Sequence, residues 1–384
     1  YDLTSRIRAL IRGSERQLGV MVGDSSRQWN DDYGYANQAF TQAGYRIRLI
    51  NPGDEIPDTL PVLMVLGGAE ELDNWALYRI DRYIQGGGKV LFALEGVYVD
   101  SRSTLEARAL TDQGLLDMVA SYGVRVKEEL TLDRSALTLQ YQTRTPGGAI
   151  QVRITRYPHW IGILEENGNP QHPVSARFAG VDLFWPSALE LAAPDSVEAA
   201  ALFSTTPEAW SMRNNFNTNP EVPYLFEQDA AETRGQKIMA AALSGTFPSW
   251  FLGAPKPVRE GSEEELPDMP AGAKPSRIIV IGDTDMATGL IGMTGGQRNL
   301  DFLLQAADWL GNDDDIIGIR NREGGVGRLD KISDPLKKAP VMRFAQILNV
   351  VMVPLLVILS GVFIAWRRKV RALGAEEKER SNGV

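Results

Sequence analysis

The feature that most constrains this chain is an uncharged run near its C-terminus. Between Arg343 and Arg367 the sequence reads FAQILNVVMVPLLVILSGVFIAW, residues 344–366, without one Asp, Glu, Lys or Arg. A helix of about 23 residues extends ~34 Å, enough to cross a hydrocarbon core of ~30 Å. Gln346 and Asn349 fall in its first turns, within reach of interfacial water. Pro354 removes one backbone hydrogen bond, a loss that transmembrane helices tolerate. Trp366 followed by Arg367, Arg368 and Lys369 sets an aromatic ring and then cations at the far end, the order of a membrane–water boundary. Core helices rarely run this long without charge. The expectation is one C-terminal transmembrane helix over 344–366, with Phe344, Pro354, Trp366, Arg367, Arg368 and Lys369 as the anchor and the lipid bilayer as a partner. Cations also precede the run, at Lys331, Lys337, Lys338 and Arg343, so the positive-inside rule only leans toward a cytoplasmic C-terminus and an extracytoplasmic soluble domain.

The rest of the chain has the balance of a water-soluble protein. With 384 residues and a net charge of −9, it gives no electrostatic reason to expect nucleic acid, whose binders usually carry a basic face, and none is expected as a partner. The absence of cysteine excludes disulfides, thiolate metal sites and a Cys nucleophile. The chain opens at Tyr1 on an arginine-rich polar stretch with no apolar signal core, which reads as a fragment or processed product.

Short apolar runs alternate with segments of helical period. Residues 18–22, 45–50, 62–66, 90–94 and 124–126 read as strands, and 72–85 and 112–122 as helices closed by Gly86 and Gly123. Tyr33, Ala36, Phe40 and Ala43 recur along one helical face that stops at Gly44. This order predicts an α/β fold with a mostly parallel sheet covered on both faces, a flavodoxin-like plan. From 129 onward Leu130, Leu132, Leu137, Leu139 and Tyr141 follow a period of two, which predicts a β-rich insertion. The expected organisation is therefore a first α/β part over 1–128, the insertion over 129–253 and a Pro/Gly/Glu-rich unstructured linker over 254–276. An α/β return over 277–320 brings a strand at 277–281 and a helix at 299–310. A juxtamembrane segment over 321–343, the helix over 344–366 and a charged tail over 367–384 follow.

Few motifs carry chemistry. Gly86-Gly87-Gly88-Lys89 lacks the spacing and the Ser/Thr of a phosphate loop and runs from helix to strand, so it is a helix stop. Asp283 and Asp285 stand at the C-terminal end of a predicted strand, where open α/β sheets bind ligands, and are the candidate metal-binding pair. Asp283 could equally cap a turn. The aspartates at 313–315 read as a solvated loop. His159 and His172 match no metal-site spacing, and no Gly-x-Ser-x-Gly elbow occurs. No catalytic residue and no cofactor is therefore expected. Trp160, Trp185, Trp210 and Trp250 lie in the middle region as core residues or as the lining of a groove.

Several stretches together resemble one family. They are Gly282-Asp283-Thr284-Asp285-Met286, the run RNLDFLL from Arg298, Ala307-Asp308-Trp309-Leu310 and Ile316-Ile317-Gly318-Ile319-Arg320, then a proline-containing apolar segment and Arg-Arg-Lys. Near the front, Tyr1-Asp2-Leu3-Thr4 and IDRYIQGGG leading into Lys89 fit the same pattern. The chain resembles the gliding-motility-associated ABC transporter auxiliary family, also described as an uncharacterised ABC-type transport system auxiliary component. The resemblance implies a class I glutamine-amidotransferase-like fold without its catalysis, since the nucleophilic Cys is missing. It also implies an extracytoplasmic domain at the cell membrane, with an ABC permease and a cytoplasmic ABC ATPase as partners. The expected function is a non-enzymatic auxiliary subunit that binds substrate or a partner protein beside the permease. The alternatives are a membrane-tethered metal-dependent hydrolase using Asp283 and Asp285, and a glycan-binding module using the tryptophans.

Overall fold

The computed structural model describes residues 16–144, 147–259 and 265–311. In chain order the first elements are β1 (Arg16–Val22), α1 (Gly34–Gln42), β2 (Tyr45–Leu49), β3 (Val62–Leu66), α2 (Asn74–Gln85) and β4 (Lys89–Ala93). A small hairpin, β5 (Val97–Val99) and β6 (Ala107–Ala109), precedes α3 (Gly114–Tyr122) and β7 (Val124–Val126). Then come β8 (Leu130–Leu132), β9 (Ala136–Arg144), β10 (Ile150–Ile163), β11 (Val181–Phe184), β12 (Leu189–Leu191), β13 (Val197–Ser204), β14 (Trp210–Met212) and β15 (Ile238–Gly245). The last are β16 (Ser276–Ile281) and α4 (Gln297–Leu310).

One nine-stranded sheet runs β2-β1-β3-β4-β16-β15-β12-β7, with β13 also paired to β15. Its core strands have no polar face because both faces are covered. On β3, Val62, Met64 and Leu66 enter the layer that holds Phe40 of α1 and Leu303 of α4. Leu63 and Val65 enter the opposite layer, with Leu77 and Ile80 of α2 and Leu115 and Val119 of α3. Each such side chain contributes roughly 1.5–3 kcal/mol on burial. Helix α2 starts where the Asp73 carboxylate accepts the Ala76 N–H at 2.9 Å. Helix α3 stops at Gly123, whose φ of 120° is open to glycine alone at little cost.

The sequence-based fold class needs two corrections. The sheet is mixed: β2, β1, β3, β4 and β16 run parallel, whereas β16–β15, β15–β12, β15–β13 and β12–β7 are antiparallel pairs. Strands from the middle region need no crossover helix to pair antiparallel, and they extend the main sheet beside β16. With that half antiparallel, the class I glutamine-amidotransferase-like assignment is not supported. The membrane-spanning helix is not supported either: among the described residues no helix is long and apolar enough to cross a membrane. The segment 344–366, with Phe344, Pro354, Trp366, Arg367, Arg368 and Lys369, lies outside the described residues.

What remains of the middle region forms two smaller sheets, β11-β10-β9 and β14-β8. Trp160, Trp185 and Trp210 are buried in the core between them and the main sheet, while Trp250 is 39% exposed. Where the sequence reading draws an unstructured linker, described residues lie along α2. Leu266 is buried with Trp75 and Tyr78, and the Tyr78 hydroxyl donates to Pro267 O at 3.0 Å.

Candidate functional site

The C-terminal ends of β1, β3, β4 and β16 meet at one edge of the sheet. Backbone bonds join them: Gly23 N–H to Leu66 O, Gly67 N–H to Ala93 O and Leu94 N–H to Ile281 O, each 2.9 Å. A Cβ on Gly23 would stand 2.6 Å from Gly68 Cα, so the exits of β1 and β3 touch through bare backbone. This is the edge at which open α/β sheets place ligand chemistry.

Asp24 follows β1, and its Oδ1 accepts from the Ser26 N–H at 2.8 Å and the Ser26 hydroxyl at 2.6 Å. That tight turn brings Arg27 back over the edge. Its Nε lies 3.1 Å from Asp24 Oδ2, its Nη1 lies 2.6 Å from Asp285 Oδ1, and its Nη2 donates to the Ser101 hydroxyl at 3.2 Å. Burial is the largest influence and works against the guanidinium charge, but Asp285, Tyr33 and Glu95 together outweigh it and hold Arg27 above its ordinary pKa. Burial raises the Asp285 pKa, and Arg27 pulls it back.

Asp283, two residues before Asp285, has a different task. Its Oδ1 accepts the N–H groups of Asp285 at 2.6 Å and Met286 at 3.1 Å, and its Oδ2 accepts the Phe184 N–H at 2.6 Å. The carboxylate caps the turn after β16 and ties it to β11. The two candidate metal ligands thus have separate partners, backbone donors for Asp283 and Arg27 for Asp285. Among the described residues no group of three or more His, Asp or Glu side chains is arranged to hold a metal ion. Burial is the first cause of a strongly raised Asp283 pKa, with Asp285 adding to it and the three N–H donors opposing it.

Glu95, just past β4, accepts from the Thr284 hydroxyl at 2.7 Å. Burial pushes its pKa up to about 7; Thr284 and Arg27 act against the rise and Asp285 adds to it. A carboxyl that titrates near neutrality therefore stands beside the Arg27–Asp285 pair.

In front of that pair opens a cleft of about 210 Å³, lined among others by Arg27, Asp32, Ser101, Arg102, Asp285 and Leu290. The β5–β6 loop supplies Ser101 and Arg102. Arg102 lies 3.7 Å from Asp32 with its own side chain 54% exposed, a loose pair at the rim worth less than about 1 kcal/mol. The cleft is smaller than the ~300 Å³ at which drug-sized ligand sites begin, so it fits a single side chain or a small polar solute. A larger cavity of about 510 Å³ lies between residues 104–107 and 216–220, where the Thr218 hydroxyl donates to Leu105 O.

Neither histidine lines these cavities. His159 is fully buried against Tyr157 and Phe226, and His172 packs on Trp309. The sequence reading found Asp283 and Asp285 but missed Arg27, Glu95 and Ser101. The available signal was position, since Arg27 and Glu95 both follow the end of a buried apolar run.

Residues 15–317, most of the chain, match the protein family described as an ABC-type uncharacterized transport system. The chain belongs to that family. The description names transport and not gliding, so the gliding association of the resemblance is not carried forward. An uncharacterized protein of Borreliella burgdorferi is 24% identical, over 97% of this chain and 69% of that protein. Among solved structures, the mmIFT52 N-terminal domain is 13% identical with a TM-score of 0.43, covering 76% of this chain and 96% of that one. A ThuA-like protein of Parabacteroides merdae is 11% identical with a TM-score of 0.36, covering 78% of this chain and 91% of that one. Neither likeness bears on function. The ABC-type transport family implies that the chain works with other transporter components.

Proposed function

We propose that this chain is a non-enzymatic auxiliary component of an ABC-type transport system, and that its polar cleft engages another component of the transporter. The observation that carries this reading is the closed pairing of Arg27 with Asp24, Asp285 and Ser101 where an α/β enzyme would keep reactive groups. An acid or base at work needs a free proton or lone pair facing substrate. Here Arg27, Asp24 and Asp285 face one another, and at the rim the loose Arg102–Asp32 pair is able to exchange partners. Family membership supports other transporter components as what the chain meets; in this proposal they are the permease and its ATPase, and the α/β domain lies outside the cytoplasm.

The alternatives gain less support. A metal-dependent hydrolase would have to strip Asp283 of three backbone donors and Asp285 of Arg27. A glycan platform would need exposed aromatic faces, and of the middle region's four tryptophans Trp160, Trp185 and Trp210 are buried.

Affinity purification of the tagged chain from its native cells in mild detergent tests the reading. Co-recovery of an ABC permease and its ATPase in a fixed ratio is expected. Quantitative recovery of the chain alone would overturn it.

A further inference from the structure

The β9–β10 ribbon carries a surface unrelated to the cleft. Beyond residues 160–163, where β11 pairs with it, β10 has only β9 as a neighbour among the described residues. The register puts Ile150 opposite Arg144, Val152 opposite Gln142, Ile154 opposite Gln140 and Arg156 opposite Thr138, all on one face. The other face turns inward only near the base, where Leu139 is buried; farther out its Gln151 and Arg153 are exposed, and the Thr143 hydroxyl donates to Glu221. Ile150, Val152 and Ile154 are 63%, 52% and 53% exposed. Three β-branched aliphatic side chains thus stand in a row facing solvent, with Arg144 at one end and Arg156 at the other.

The ribbon's own charge is one-sided, with Glu221 meeting it from the opposite face. From residue 134 to residue 164 the charged side chains are Arg134, Arg144, Arg153 and Arg156, with no Asp or Glu, in a chain of net charge −9. Arg134 pairs with Glu227 at the base of the ribbon, whereas Arg144 and Arg153 are exposed farther out. Edge ribbons with exposed aliphatic residues invite association, and arginines restrict what associates to something anionic. Stacking two copies of this face would set arginine against arginine. An anionic bilayer interface asks only for apolar area and cations, with no matching pocket.

We propose that the outer face of the β9–β10 ribbon is a peripheral contact for an anionic lipid bilayer, seating Ile150, Val152 and Ile154 at the interface with Arg144 among the headgroups. The contact is independent of the cleft and of any spanning helix.

The absence of cysteine allows a site-resolved test on the full chain. Val152→Cys, carrying a polarity-sensitive fluorophore, is compared with Gly272→Cys, a position open to solvent with nothing near its Cβ. With vesicles mixing phosphatidylglycerol and phosphatidylcholine, the emission at 152 is expected to shift to the blue while that at 272 stays. The shift is lost with phosphatidylcholine alone, at high salt, where charge attraction is screened, and with Arg144→Gln; Arg144→Lys retains it. No shift at 152, an equal shift at 272, or a shift that ignores lipid charge would overturn the proposal. So would a shift that grows with protein concentration in the absence of vesicles, which would assign the face to a second copy of the chain.

Discussion

Arg27 lies 2.6 Å from Asp285, the two side chains only 8% and 5% exposed, one just past β1 and the other just past β16. The pair closes the edge of the sheet across β3 and β4, which stand between those strands. It holds together the first and last parts of the parallel half and leaves one cation, Arg27, shared between the Asp24 and Asp285 carboxylates on the cleft floor.

Breaking this pair from one side leaves a buried charge without a partner. Arg27→Met is expected to cost about 3–5 kcal/mol. Arg27→Met combined with Asp285→Asn should recover much of that loss. Urea unfolding of the two single variants and the double variant measures the coupling directly.

Asp283 is predicted to act as a cap and not as a ligand. Asp283→Asn keeps one acceptor oxygen and leaves a buried N–H unpaired, at a cost of about 1–3 kcal/mol. Adding Mg²⁺ or Ca²⁺ should leave the melting temperature of the unaltered protein unchanged, because an ion that bound the folded state would raise it. Thermal unfolding with and without the ions, alongside the Asn variant, checks both statements.

Much of the parallel half is legible in the sequence because its strands are continuously apolar and its helices end on glycine. The antiparallel half is not. Its central strand β15 carries Ala240, Ala241 and Ala242, residues with no preference for a strand, and pairing with β16 and β13 decides their conformation. The same limit hides the site. Asp283 and Asp285 follow a recognisable strand, but Arg27, Glu95 and Ser101 come from three other loops and converge only through the strand order. Two residues in the family-like stretches prove to be ties. Asn299 accepts the Asp182 N–H at 2.8 Å and donates to Asp182 O and Met286 O. Asp308 accepts the Tyr45 hydroxyl at 2.5 Å and pairs with Arg16.

Gly282 fixes how closely the loop before β12 approaches β16. A Cβ there would lie 2.0 Å from Ser187 O, whose own N–H donates to Gly282 O at 2.7 Å. Gly282→Ala is expected to destabilise by about 1–3 kcal/mol or more, since backbone must shift. Gly272→Ala, with nothing within 4 Å, should change stability by less than about 0.5 kcal/mol. Denaturation midpoints of the two variants give the comparison.

Buried His159 and partly buried Glu95 bend the pH profile in opposite directions. Burial lowers the His159 pKa from 6.5 to about 3, so between those values the unfolded chain binds more protons and stability falls as pH falls. Glu95 is raised from 4.5 to about 7; there the folded chain binds more protons, and stability falls as pH rises through that window. Relative to the unaltered protein, His159→Phe should gain stability as pH drops below about 6.5. Glu95→Gln should gain as pH climbs from about 4.5 to about 7 and level off above. Urea unfolding across the pH range reads both difference curves.

The cleft as the meeting point with the transporter is tested most directly by photo-crosslinking in native cells. A photoreactive residue replacing Arg102, at the rim, is predicted to form a covalent adduct with the permease, and one replacing Gly272 is not. Efficient adducts from position 272 with none from 102, while the permease still co-purifies, would contradict the account.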